Sequence, residues 1–166
     1  MSRAFVKNDN DDQSGEDLPE RPVSDAPNYV TDEGLQLLRE RVEQLSREHA
    51  RLREAAEEFE KPRLAANERD LRYFQSRLES AILVDVASEP RGEVHFGATV
   101  KTEDEEGNVS SFTIVGEDEA DVRNNKISWR SPLAKALLGS KVGDTVTWTR
   151  PAGSTTLEVL EIGYPG

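Results

Sequence analysis

Two seams of residues spaced alternately by three and four, parted by a single proline, constrain this chain more than any other feature. The first seam runs Leu35, Leu38, Val42, Leu45, His49, Leu52, Ala56 and Phe59; the second runs Leu64, Asn67, Leu71, Phe74, Leu78 and Ala81. That spacing marks one buried stripe on each of two α-helices. Thr31 is placed to cap the first helix, with Asp32 and Glu33 at its positive end. Pro62 biases Lys61 out of helix and suits the first position of the second helix. Two seamed helices joined by so short a link run antiparallel, so residues 29–82 read as a helical hairpin with its tip between Glu57 and Arg63. A first helix of ~28 residues would be ~40 Å long, which predicts a projecting rod. The seams say that apolar faces meet but not whose, and a dimeric coiled coil or a helical bundle stays open. The outer faces alternate Arg39, Glu40, Arg41, Glu43, Arg47 and Glu48, a nearly balanced, solvated surface.

Around the hairpin the patterns differ. Residues 1–28 hold Asp9, Asp11 and Asp12 with Gly15, Pro19, Pro22 and Pro27 and few apolar residues, which predicts a disordered acidic tail. From residue 83 to 166 the period becomes two. Val94, Phe96, Ala98 and Val100 alternate, as do Val109, Ser111, Thr113 and Val115, around the turn Asp104-Glu105-Glu106-Gly107-Asn108. Ile127–Trp129, Thr145–Thr149 and Leu157–Ile162 read as further strands. Ser131 and Pro132 open a short helix that Gly139 closes. The expected fold class is α+β: an antiparallel helical hairpin, then an antiparallel β domain with one short helix.

Composition narrows the chemistry. There is no cysteine, and only two histidines, in 166 residues; disulfides and thiol catalysis are excluded, and a zinc site would have to use mostly carboxylates, against zinc's usual preference. No Walker loop or G-x-G-x-x-G fingerprint occurs. His49 reads as a packed seam residue, and His95 as an outward-facing strand residue. The net charge of −12 disfavours gripping nucleic acid by its phosphates and suits a partner with a basic groove. No apolar run predicts a membrane span or a secretory signal; a cytoplasmic location is expected, and a monomer. Glu103–Glu106 reads as a solvated turn. Glu57, Glu58 and Glu60, beside Lys61 and Arg63, put carboxylates at the hairpin tip, where they could help hold a divalent ion at a partner's active site; taken alone, glutamates that simply favour an exposed helix end are the simpler reading.

The second half resembles the Gre (GreA/GreB) family of bacterial transcription elongation factors. The residues that carry the resemblance are Gly92–Val100, Phe112–Asp121, Ile127–Gly139, Val142-Gly143-Asp144 and Pro151-Ala152-Gly153, with Tyr29-Val30-Thr31, Gly34, Leu38 and Arg39 similar to the start of the Gre coiled coil. The resemblance implies an FKBP-like C-terminal domain without an isomerase site, docked on the rim of the secondary channel of RNA polymerase. It implies a hairpin that enters the channel, in indirect contact with the nascent RNA. It also implies no intrinsic metal or cofactor, only a magnesium ion shared at the polymerase active site, and no catalysis by the chain itself. Carried over by position, the docking residues are Asp118, Glu119, Asp121, Ser131 and Pro132, with Arg130 standing where an acidic residue is common. The tip departs from the family: it reads Glu57-Glu58-Phe59-Glu60-Lys61-Pro62-Arg63, and each arm is shorter by about seven residues, or ~10 Å. Because a metal ligand must lie within ~2–2.5 Å of its ion, the departure tells against cleavage stimulation of the family kind. Two alternatives are carried: a non-cleaving competitor similar to the short-hairpin Rnk proteins, and a peptidyl-prolyl isomerase, for which Phe96, Phe112, Trp129 and Trp148 offer little of the required aromatic pocket.

Overall fold

The computed structural model describes residues 18–55 and 57–165. Most of the expected tail, together with Ala56 of the first seam and Gly166, lies outside the described residues. Two compact units form: residues 36–80 with those preceding 28, and residues 28–35 with 81–166. The second unit thus includes 29–35, which the sequence assigns to the hairpin.

In the first unit, α1 (Asp32–Ala55) and α2 (Lys61–Ser80) make the hairpin. Arg41 lies against the Phe74 ring, Leu45 opposite Asn67, and Glu48 opposite Arg63, so the numbering rises on one helix as it falls on the other. Leu38, Leu45 and Leu52 are buried, as the first seam requires. Phe59 is not on that seam: it is 73% exposed. Glu57 takes an extended backbone and Glu58–Glu60 form one 3-10 turn before α2, so the helical phase is lost before Phe59. Pro62 is the second residue of α2, still within the first turn, where its missing N–H needs no partner. The innermost groups of α2 are Asn67 and Arg77, while Leu71, Phe74 and Leu78 are half-buried.

Residues 18–27 correct the expectation of a tail reaching to 28. Arg21 stacks 4.0 Å from the Tyr73 ring centroid and 5.1 Å from that of Phe74, and its guanidinium reaches Asp70 at 3.4 Å. Glu20 takes three hydrogen bonds from the Arg72 guanidinium. Cation–π and bidentate ion-pair contacts supply here what apolar burial does not; Val23 in the same stretch is exposed.

In the second unit, β1 (Tyr29–Val30) pairs in parallel with β2 (Ile82–Leu83). Strands β3 (Thr99–Asp104), β4 (Val109–Val115), β5 (Lys126–Ser128), β6 (Thr145–Trp148) and β7 (Thr155–Gly163) form one sheet in the order β5-β4-β3-β7-β6. All its pairs are antiparallel except β4–β5, whose connection passes through a 3-10 turn and Asn125 at φ 53°. Helix α3 (Pro132–Leu137) covers one face, and Leu133, Ala134 and Leu137 pack with Val100, Ile114, Leu157 and Val159. The alternation from Val94 does not become a strand before Thr99. Gly97 sits at φ 89°, and Val94 exchanges backbone bonds with Gly139 and Ser140 instead of a neighbouring strand. Val94 and Ala98 still reach the core, so the period reported burial and not extended pairing.

Candidate functional site

The docking candidates gather at the end of the sheet where β4 and β5 run side by side. Ile114 opposes Ile127 and Val115 opposes Ser128, so the segments that leave both strands, Gly116–Asp121 and Trp129–Pro132, start as neighbours. The Arg130 guanidinium meets Glu117 at 3.5 Å, and Trp129 N–H donates to the Val115 carbonyl. Ser131 is the N-cap of α3: its hydroxyl accepts from Ala134 N–H at 3.2 Å, with Pro132 in the first turn. That cap fixes Pro132 outward and Leu133 inward, since Pro132 is exposed and Leu133 buried. Behind this edge the Tyr29 ring stands edge-on to Trp129 at 5.1 Å and tilted to Phe96 at 6.3 Å.

The acidic loop divides its labour. Asp121 caps the 3-10 turn by accepting from Arg123 N–H at 3.1 Å and Asn124 Nδ2 at 2.6 Å. Asp118 is half-buried beside it. Glu119 turns inward, its side chain only 3% exposed. It accepts a 2.5 Å hydrogen bond from the Thr31 hydroxyl and lies 3.7 Å from Lys126 Nζ. Thr31 Oγ1 in turn accepts from Gly34 N–H at 2.9 Å, the N-cap bond expected of it. Lys126 also donates to Glu33 at 3.1 Å, and that bond, with the charges of Glu33, Glu119 and Asp121, raises its pKa above the ordinary lysine value despite some burial. This four-residue network escaped the sequence reading. Thr31 and Glu119 were each legible, but nothing in a linear pattern pairs residues so far apart.

The tip candidates sit in the other unit. Glu57 is exposed and has no side-chain cap bond. Glu58 pairs with Lys61 at 3.1 Å, and Glu60, its side chain 17% exposed, with Arg63 at 3.5 Å. Among the described residues no three His, Asp or Glu side chains converge on a point that could hold a metal. His49 lies 3.7 Å from Glu68 across the hairpin. His95 is half-buried on a turn and not on a strand, 3.8 Å from Glu89 and 3.6 Å from Glu93. Its backbone N–H donates to the Tyr164 hydroxyl, which donates to the Glu93 carbonyl; burial is the main cause that raises the phenol's pKa.

A family model described as transcription elongation factor, GreA/GreB, C-term, matches residues 89–164. Transcription elongation factor GreA of Thioalkalivibrio sulfidiphilus is 39% identical over 127 residues, 72% of this chain and 77% of that protein. Transcription elongation factor GreB of Yersinia pestis is 37% identical over 152 residues, covering 82% and 89%. A solved GreA/GreB elongation factor from Nitrosomonas europaea aligns with a TM-score of 0.42 at 25% identity, covering 82% of this chain and 98% of that one. At such identity over most of a curated relative's length, the chain belongs to the GreA/GreB family of transcription elongation factors.

Proposed function

We propose that this chain binds bacterial RNA polymerase at the rim of its secondary channel and modulates paused or backtracked complexes without stimulating transcript cleavage. The single observation that carries the docking half is the Glu117–Arg130 pairing, which joins the two carried-over segments into one exposed edge inside the region that matches the family. Ser131, Pro132, Arg130, Asp118 and Asp121 form that edge, and Glu119 supports it from within. For the tip, two of its three glutamates are engaged by Lys61 and Arg63. A carboxylate that must bridge to a metal would first have to leave its own cation. Magnesium at the polymerase active site would then stay the polymerase's own, and the chain performs no catalysis itself.

The test uses purified polymerase stalled in a backtracked complex with magnesium. Micromolar full-length protein should bind it and displace an authentic GreA, and RNA length should not change. Reversing the charge of the loop in Asp118→Arg should abolish the displacement. Transcript shortening that disappears in the triple variant E57A/E58A/E60A would refute the reading of the tip. Absence of binding would refute polymerase as the partner. Displacement of GreA without any other effect on paused complexes would favour the competitor role.

A further inference from the structure

A second recognition feature lies on the sheet face away from α3. Thr99 and Thr113 alternate with the core residues Val100 and Ile114, so they point to the opposite face. Their register partners run Thr113–Thr99–Gly163 across three strands, and the glycine leaves the floor there without a side chain. Above this floor is an open cavity of about 550 Å³, within the ~300–1,000 Å³ usual for binding pockets. Val86, Val115 and Tyr164 line its walls. Val86 packs so closely over Gly97 that a Cβ there would come within 2.6 Å of its side chain. The threonine hydroxyls lie 2.9 Å apart and bond to each other. One hydroxyl hydrogen is then left to offer a ligand.

The charge at the mouth selects the occupant. Asp32 and Glu33 are exposed there, the inward-turned Glu119 lies behind them, and Lys126 is the one cation among the described lining residues. That ammonium is held by Glu33 at 3.1 Å and Glu119 at 3.7 Å, while the Glu33 side chain is 67% exposed. An anion would meet the two exposed carboxylates Asp32 and Glu33, and a wholly apolar ligand would cover them without a partner, which costs desolvation. An aliphatic stem ending in a cation satisfies both walls and mouth. We infer that this cavity is a docking site for an arginine or lysine side chain on a basic segment of a protein partner, with Glu33 exchanging Lys126 for the incoming cation. The site involves neither the Arg130–Pro132 edge nor the hairpin tip, and stands whether or not polymerase is the partner.

The test is an amide-resolved NMR titration of the full chain with N-acetyl-arginine methylamide, beside its norleucine and glutamate analogues. The arginine probe should shift the Gly97, Thr99 and Gly163 amides at millimolar concentration, and the other two should not. Removing the competing ammonium in Lys126→Gln should tighten the arginine probe by about two- to fivefold, the range of one exposed ion pair; Glu33→Gln should weaken it by a similar factor. Preserved amide dispersion certifies that each variant folds. An unshifted spectrum, equal shifts with norleucine, a preference for the glutamate probe, or weaker arginine binding in Lys126→Gln would each overturn the inference.

Discussion

Asn67 offers the sharpest test of how the hairpin is held together. It is 5% exposed in the seam of α2, its Nδ2 donates to the Leu45 carbonyl at 3.0 Å, and its Oδ1 has no partner among the described residues. The Leu45 carbonyl lies inside α1, so it keeps its helical acceptor role without Asn67. Replacing Asn67 with leucine relieves a buried unpaired acceptor, worth about 1–3 kcal/mol, and forfeits one hydrogen bond, worth about 0.5–1.5 kcal/mol. The buried leucine adds about 1.5–3 kcal/mol, from which repacking of a slightly larger side chain takes about 1–2 kcal/mol. Taken at their mid-values these contributions leave the hairpin more stable by about 2 kcal/mol. Urea unfolding followed by circular dichroism at 222 nm, a wavelength dominated by α1 and α2, reads this as a midpoint raised by about 1 M at an unchanged slope. Asn67→Ala should move the midpoint down, because the hydrogen bond is lost and nothing fills the space. A buried asparagine also restricts which helices pair and in what register, so sedimentation of the leucine variant should reveal more self-association than that of the parent. A leucine variant less stable than the parent would refute the reasoning, since it would mean that Oδ1 is satisfied and the seam is built around it.

Other outcomes follow from single contacts. Thr31→Val removes both the cap of α1 and the donor to Glu119, and should cost about 1–3 kcal/mol in thermal or urea unfolding, whereas Thr31→Ser should cost little. Gly116→Ala would drive a Cβ into the Tyr29 carbonyl oxygen, a backbone atom with little room to yield, and should destabilise the second unit by about 1–3 kcal/mol by calorimetry. The Arg72 hydrogen bond, aided by its charge, holds the Glu20 carboxyl below the ordinary value of 4.5. A depressed folded pKa means that the contact is complete above the unfolded value and is lost as pH falls through the folded one. Arg72 side-chain NMR signals should therefore stay constant from neutral pH to about 4.5 and change below it; Glu20→Gln should abolish that transition.

The sequence made the second unit's core legible, because burial there follows strict local rules. Ser131 and Pro132 open α3 as their types predict, and Gly139 closes it at φ 85°. The same alternation misplaced Val94–Ala98, since period two records which side chains face the core whether or not the backbone pairs. Phe59 was misread for a related reason: a heptad count runs on past the residue where the helix stops. Arg21 and Glu20 were missed because proline, acidic residues and few apolar positions predict a chain with nothing to bury. Their contacts need only ring faces and guanidinium planes on α2, which no hydropathy pattern records. The docking candidates were found by position in a recognised pattern, but the inward turn of Glu119 depended on Thr31 and Lys126, partners that only folding supplies.

The parallel pairing of β1 with β2 has an evolutionary corollary. Asn28–Val30 and Ile82–Val84 are stitched by the Ile82 N–H to Asn28 carbonyl and Val84 N–H to Val30 carbonyl bonds. The chain therefore leaves for the hairpin and comes back through adjacent residues, and residues 36–80, past the Thr31–Glu119 and Glu33–Lys126 contacts, are a cassette with a closed gate. Matched deletions of one heptad from each arm preserve the seam's phase and leave the gate untouched. Length and tip chemistry can then drift, or be grafted from a relative, without renegotiating the β domain. A lineage that needs a shorter probe has only to trim the cassette.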